Sequence, residues 1–185
     1  MRCLFTALFL MASPAAFAAE YIFDKVHTQI FFSASHAGFT TSTGAFTKFD
    51  GRFSFDEDDF SQSDIEVTIK TSSIDLNDKT WNKHMMGAKW FDAKQYPEMV
   101  FKSTEVKKTG DKTLDIVGNL TLKGVTKPVT LKATFNKAGV QFGKQKVGFS
   151  AVTTIDRTQF GMDYAVPAIG TQIPIRIEVE GVKML

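Results

Sequence analysis

Regular alternation of apolar and polar residues is the feature of this sequence that most limits its fold. The alternation is clear along 64–70, 129–136 and 173–180. Because successive side chains of a β-strand point to opposite faces, a period of two indicates strands with one buried face. Weaker forms of the pattern predict further strands at 29–36, 44–55, 98–107, 113–122 and 146–156. The chain is therefore predicted to be all-β, with about eight strands.

Short polar segments containing glycine separate neighbouring strand patterns at 108–111, 123–128 and 136–139. Such segments favour tight turns, and tight turns between consecutive strands produce an antiparallel meander. A meander with a single apolar face must stack as two sheets or close on itself, and closure removes the exposed edges. We therefore predict a closed, antiparallel, eight-stranded β-barrel.

One stretch of the chain, 77–87, does not alternate. Asn77 can cap a helix, and Trp81, His84 and Met85 recur at spacings of three and four residues. We predict a short helical segment that lies near one mouth of the barrel.

The first residues have the three-part layout of a secretory signal peptide. Arg2 precedes an apolar run at 4–11, which is followed by the small-residue pattern of 16–18. An apolar run of this length is too short to span a bilayer stably. We expect 1–18 to be removed, which leaves 19–185 as one exported domain.

Composition constrains the exported domain further. The single cysteine, Cys3, lies in the predicted signal peptide, so the domain has no disulfide. The formal net charge of the whole chain is +2 at pH 7, which gives no electrostatic case for nucleic acid or an anionic membrane surface. Since no later apolar run is long enough for a transmembrane helix, we expect no stable membrane insertion. The 18 phenylalanines of the chain indicate a largely aromatic interior.

The sequence offers little support for catalysis. It contains no Gly-x-Ser-x-Gly motif, no cysteine nucleophile after the signal peptide and no pair of histidines at metal-binding spacing. We therefore expect no enzyme activity, no catalytic residue, no metal and no cofactor. The alternative is an enzyme that acts on a bound lipid with His36 or His84 as its base.

The barrel interior is the better candidate for a functional site. An eight-stranded barrel is about the width at which side chains either fill it or leave room for one slender ligand. Both readings stay open from the residues alone. If the barrel is hollow, its lipid-binding wall and mouth comprise Ile30, Phe32, Phe46, Phe53, Phe55, Ile69, Trp81, Met85, Trp90, Phe101 and Phe149.

A series of short motifs runs in order from residue 20 to residue 182. The motifs are 24–27, 36–38, 44–46, 49–51, 53–56, 83–85, 96–97, 101–103, 118–122, 124–129, 155–157 and 160–161. In this order and spacing they resemble the YceI-like family. The chain departs from the family at Trp81, Asn82 and Met86, where arginine and aspartate are often found, so contacts from this helix to a polar headgroup are not implied.

The resemblance implies a lipocalin-like barrel in the periplasm with an elongated apolar cavity. In some members of the family this cavity holds a polyisoprenoid or a quinone, and no catalytic residues come with the resemblance. We therefore expect an exported soluble protein that binds a polyprenyl lipid or a quinone as carrier or buffer. A homodimer and a membrane redox partner are left open by the sequence.

Three alternatives to a lipid carrier follow from the same residues. A filled structural barrel, or a partner-binding protein without ligand, would have the same alternation. An outer-membrane barrel also alternates, but it needs longer apolar bands and aromatic girdles than this chain offers. The third alternative is the lipid-modifying enzyme described above.

Overall fold

The alternating segments form β-strands that close into a barrel, as the sequence predicts. The computed structural model describes residues 18–184, so the predicted signal peptide lies outside them except for Ala18. The strands are β1 (Ala19–Phe23), β2 (Gln29–His36), β3 (Thr40–Phe46), β4 (Phe49–Phe55), β5 (Asp64–Lys70), β6 (Ile74–Asp75), β7 (Glu98–Lys108), β8 (Thr113–Leu122), β9 (Val125–Gln141), β10 (Lys144–Asp156) and β11 (Gln172–Lys183), with one α-helix, α1 (Lys79–Met85).

These eleven segments make eight barrel strands because three barrel strands are interrupted. β1 and β2 lie end to end along β11, and they pair in the same way with β4 and β3. β5 and β6 likewise lie end to end, and they pair with β4 and β3. Each remaining pairing joins two barrel strands that follow one another along the chain, beginning with β5 and β7. The closed antiparallel eight-stranded barrel and its short helix are thus confirmed. No helix in residues 18–184 has the length and hydropathy of a membrane-spanning segment.

The connections between barrel strands gather at two ends. The upper end consists of 37–39, 76–97, 123–124 and 157–171, and the lower end consists of 56–63, 109–112 and 142–143. The helix α1 belongs to the upper end. The long connections therefore cover one mouth of the barrel, and shorter ones cover the other.

The helix begins one residue later than the sequence predicts. Asp78, rather than Asn77, is its N-cap, and the Asp78 Oδ1 accepts a 2.8 Å hydrogen bond from the Trp81 backbone N–H. Asn77 has a φ of 59° and belongs to the preceding turn. Asn82 attaches the helix to β6, because its Oδ1 accepts from the Leu76 N–H at 2.7 Å and its Nδ2 donates to Asp75 at 3.0 Å.

The turn predicted at 136–139 is wrong. β9 continues to Gln141, and the chain reverses at Phe142 and Gly143, which have φ values of 51° and 74°. Asn136 is an unpaired bulge residue opposite Gly148 and Phe149, where the register of β9 and β10 shifts. A bulge and a turn use similar polar residues, so the segment was mistaken for a turn.

A small polar cluster joins the first and last barrel strands, and we call it the seam. Thr28 Oγ1 donates to the Glu180 carbonyl and accepts from the Glu180 N–H, both at 3.1 Å. The Lys146 ammonium contacts Glu180 and lies 3.3 Å from Asp24 Oδ2, and Asp24 Oδ2 lies 3.0 Å from His27 Nδ1. The hydrogen bond with His27, aided by the Val26 N–H and Lys146, holds the pKa of Asp24 well below its usual range.

Candidate functional site

The barrel encloses an apolar cavity of about 220 Å³. Aliphatic and aromatic side chains from all eight barrel strands line it, and the few polar residues on the wall are mostly serines and threonines. An apolar cavity of this kind stays dry and favours apolar ligands. The cavity is somewhat smaller than the roughly 300–1,000 Å³ of a typical small-molecule site.

Ten of the eleven residues predicted for the wall and mouth lie around this cavity. They are Ile30, Phe32, Phe46, Phe53, Phe55, Ile69, Met85, Trp90, Phe101 and Phe149. Trp81 does not line it: its side chain is 47% exposed on the outer face of α1. The parity of the strands therefore identified which faces point inward, while a lipid-binding role for each residue stays a prediction.

Three wall phenylalanines contact glycines of other strands: two of the glycines lie on the adjacent strand, and the third lies on β11, across β1 from its phenylalanine on β4. Phe32 covers Gly44, Phe53 covers Gly181 and Phe101 covers Gly118. A Cβ on Gly44 or Gly118 would stand 2.5 Å from the ring above it, so glycine is needed for this approach.

Four aromatic rings close the lower end of the cavity. Phe55 lies 5.4 Å from Phe60, 5.2 Å from Phe135 and 4.9 Å from Phe149, measured between ring centroids. Phe60 comes from the 56–63 connection and is 4% exposed. Sequence reasoning missed Phe60 and Phe135, although Phe135 lies on the apolar face of its predicted strand.

The segment after α1 covers the upper end of the cavity. Met85, Trp90 and Phe91 all line the cavity, and the Phe91 ring packs edge-on against Phe46 at 5.7 Å. Trp90 is 7% exposed and also packs edge-on against Tyr164, with a centroid distance of 5.3 Å. Met85 remains half-buried, so the cavity comes close to the surface at this end.

Arg157 is the only charged residue among the described residues that line the cavity. It is 2% exposed, and its guanidinium donates to the carbonyls of Met162, Tyr164, Ile169 and Gly170. Its carbon Cζ lies 5.4 Å from the centre of the Trp90 ring. No salt bridge in residues 18–184 includes it, and burial lowers its pKa from the ordinary value.

Sequence reasoning missed the role of Arg157. The only signal was its place in the 155–157 motif, on the strand face that is otherwise apolar. Four carbonyl bonds use four of the five guanidinium N–H groups, so one N–H remains for another acceptor. A buried guanidinium at the edge of an apolar cavity can hold the 157–171 connection in place. It can also donate a hydrogen bond to a polar group of a ligand.

The histidines proposed for catalysis lie outside the cavity. The His36 and His84 rings flank Trp81 on the outer surface, at centroid distances of 6.5 and 6.1 Å. Neither ring can therefore reach a molecule held inside the barrel without a rearrangement of the upper end. This placement weakens the enzyme alternative, while the absence of catalysis stays a prediction.

One group of side chains in the described residues has metal-binding character. Ligand atoms of Asp24, His27 and Glu180 lie within 4.8 Å of one another at the seam. The Lys146 ammonium contacts both carboxylates and occupies the position that a cation would take. The Lys146 ammonium therefore already compensates part of the negative charge of the cluster.

The fold and the cavity together define a lipocalin-like closed barrel with an apolar interior. The chain belongs to the YceI-like domain family, whose model matches residues 21–181. It is 43% identical over 177 residues to a UPF0312 protein of Pseudomonas putida strain F1, covering 94% of this chain and 92% of the relative.

Two solved structures have the same fold. BcnA of Burkholderia cenocepacia superposes with a TM-score of 0.79 at 26% identity, covering 85% of this chain and 98% of that one. A polyisoprenoid binding domain from Saccharophagus degradans gives a TM-score of 0.71 at 12% identity, covering 90% and 99%. The second likeness extends to the fold alone.

Proposed function

We propose that this protein is an exported carrier or buffer for an isoprenoid lipid, either a polyprenyl lipid or an isoprenoid quinone. The observation that carries the proposal is the continuous apolar cavity inside a closed barrel. The Saccharophagus domain with this fold is described as polyisoprenoid binding, which supports the ligand class. Export to the periplasm rests on the predicted signal peptide and on the family resemblance.

The mechanism of such a carrier is to shield an apolar chain from water. Each buried methylene contributes about 0.8 kcal/mol, so one five-carbon isoprene unit contributes about 3–4 kcal/mol before entropy costs. A few units are therefore enough for retention. Because the empty cavity is only about 220 Å³, a long chain requires wall side chains to rotate or part of the ligand to project at the upper end.

The polar head of the ligand is placed at the upper end in this proposal. Arg157 is the charged residue on the cavity wall there, and Trp90 lies beside it. One free guanidinium N–H suits a single acceptor such as a quinone carbonyl or a phosphate oxygen. The chain needs no catalytic group or cofactor for this role, and a second copy or a redox partner stays a prediction.

A pair of substitutions in β10 tests whether the ligand occupies the cavity. Ala151 is buried and lines the cavity, whereas its neighbour Val152 is 50% exposed on the outer face. Ala151→Phe should fill the space and lower the affinity for added polyprenol or quinone roughly tenfold, since the loss of two buried methylenes has this effect. Val152→Phe should leave the affinity unchanged. Uptake is measured with delipidated protein by quenching of tryptophan fluorescence and by native mass spectrometry.

Both variants must first give the circular dichroism spectrum and melting curve of the folded barrel. If Ala151→Phe is folded and binds polyprenol and quinone as well as the parent does, the cavity is not the binding site. If it does not fold, Ala151→Leu makes the same test with a smaller side chain. Equal losses in the Ala151 and Val152 variants would also contradict the proposal.

A further inference from the structure

The upper end carries a group of exposed apolar side chains that the barrel does not need. Phe39 is 87% exposed, Trp81 47%, Val166 45% and Tyr164 44%. Single exposed apolar residues are ordinary, whereas several close together are typical of an interaction surface. We call these four residues the upper rim. The lower β9–β10 hairpin also exposes Val140 and Phe142, so charge is needed to distinguish the two ends.

Hydrogen bonds hold the parts of the upper rim together. The hairpin that carries Phe39 is bound to the 157–171 connection, because the Ala37 N–H donates to Ala168 and the Gly170 N–H donates to Ser35 at 2.9 Å. Trp81 contacts the same hairpin through His36. The upper rim is thus one surface built from three connections.

Charge distinguishes this end of the barrel from the other. The upper-end connections contain six basic and three acidic residues, whereas the lower-end connections contain one basic and five acidic residues. Five of the upper basic residues are lysines, and none of them takes part in a salt bridge within residues 18–184. They are Lys79, Lys83, Lys89, Lys94 and Lys123.

One of these lysines lies directly beside the rim. The Lys89 ammonium is 4.7 Å from the centre of the Tyr164 ring. Exposed aromatic residues flanked by lysines suit the boundary between lipid headgroups and acyl chains, where rings enter the apolar layer and ammonium groups meet phosphates. The net charge of the whole chain does not reveal the difference in charge between the two ends, because the acidic residues of the lower-end connections offset the basic residues of the upper-end ones.

The cavity comes close to the surface at the same end. Met85 and Ile169 line the cavity and are half-buried, and they lie close in sequence to Trp81 and Val166 of the upper rim. A bilayer that contacts the upper rim would therefore also contact the segment after α1, which covers the cavity. An acyl or isoprenyl chain could pass between the two without crossing water.

We propose that the upper rim docks on the surface of a phospholipid bilayer that contains anionic lipids, so that the lipid cavity exchanges its ligand there. The proposal rests on the lipid-carrier function proposed above. Its partner is the bilayer itself, because aromatic anchors, lysines that form no salt bridge within residues 18–184 and the adjoining apolar cavity all match that chemistry. Docking is peripheral and requires no membrane-spanning segment.

Two exposed hairpin phenylalanines at opposite ends give a matched test. Phe39 belongs to the upper rim, and Phe142, which is 93% exposed, lies at the tip of the lower β9–β10 hairpin. Phe39→Ser should weaken binding of the exported protein to equimolar phosphatidylcholine–phosphatidylglycerol vesicles roughly tenfold, because one buried phenyl ring is lost. Phe142→Ser should bind as the parent does. Co-flotation with the vesicles measures both, and added salt should weaken parental binding.

Absence of vesicle binding by the parent would overturn the proposal, as would an equal or larger loss in Phe142→Ser. Uptake of polyprenol and of quinone by each protein in vesicle-free solution is measured in parallel. Vesicle binding that depends on Phe39, with no uptake of either lipid, would support docking while contradicting the carrier function. Normal uptake without vesicle binding would contradict docking alone.

Discussion

The contact between wall phenylalanines and strand glycines determines how much space the barrel encloses. At Gly181 the Phe53 ring occupies the position that a Cβ would take, and Val147 stands 3.2 Å from that position. Phe53 is also stacked on Tyr21, at a centroid distance of 5.3 Å. The ring therefore cannot move aside without disturbing its neighbours.

Substitution of Gly181 by alanine should destabilise the barrel by about 1–3 kcal/mol, the usual effect of overpacking a core. Gly148 is a suitable control, because it lies in the adjacent strand and a Cβ there would meet no atom closer than 3.8 Å. Gly148→Ala should be neutral or slightly stabilising, since it restricts the unfolded chain. Urea unfolding followed by circular dichroism compares the two, and equal midpoints would show that the ring moves without cost.

Sequence parity predicted the inward faces well, but it could not reveal contacts made across strands. Phe32, Phe53 and Phe101 were recognised as wall residues because their positions fit the inward parity of their predicted strands. That each ring needs a glycine beneath it depends on the register between strands, which the local pattern does not contain. Arg157 was missed for a related reason, since its carbonyl partners come from a connection whose path the sequence does not specify.

At the level of elements, the seam lies where β1 and β2 pair with β11 and close the barrel. Asp24 lies in the connection between β1 and β2, Lys146 in β10 and Glu180 in β11. The Lys146 ammonium lies between the two carboxylates in a partly buried site, where the Lys146 and Asp24 side chains are 14% and 16% exposed. The seam thus links the connection between β1 and β2, the two halves of one interrupted barrel strand, to β10 and β11.

Acid should weaken the barrel through this seam. The pKa of Asp24 is lowered in the folded state from its ordinary value of 3.8, chiefly by its hydrogen bond with His27. Its carboxylate therefore stabilises the folded protein above that value, and the contribution is lost as the pH falls below it. Asp24→Asn should lose stability at neutral pH and should show a smaller further loss between neutral pH and about pH 3 than the parent.

Asp50→Asn provides the control for the seam, because Asp50 pairs with Lys25 on the open surface, where its side chain is 77% exposed. Surface pairs of this kind contribute little to stability. Urea titrations of the parent and of both variants at the two pH values give the six free energies of unfolding. The same acid-induced loss in Asp24→Asn and in the parent would show that the seam does not contribute.

The errors in predicting elements have local physical causes. The strand at 29–36 was predicted with the bounds that the structure gives. β1 was missed because a five-residue strand next to the signal peptide gives too short a pattern. The reversal at Phe142 and Gly143 was missed because an exposed phenylalanine does not resemble a turn residue, whereas Asn136 and Gly139 do.

At the scale of the whole molecule, the interior of the barrel differs from its outer surface in polarity. The two ends differ in the charge and in the length of their connections. Among the described residues Arg157 is the only charged one on the cavity wall, the lower end is closed by aromatic rings, and the upper end is covered by long connections that carry five lysines. A purely structural barrel, filled by its own side chains, would not need the apolar cavity that this barrel encloses.

Native mass spectrometry of the exported protein, followed by organic extraction, tests the carrier function most directly. A stoichiometric adduct is expected whose extracted mass and fragmentation identify a polyprenyl lipid or an isoprenoid quinone. The same adduct should form when delipidated protein is supplied with that lipid. A clean mass of the protein alone, with no uptake of added polyprenol or quinone, would contradict the carrier function and favour a filled barrel or a partner-binding protein.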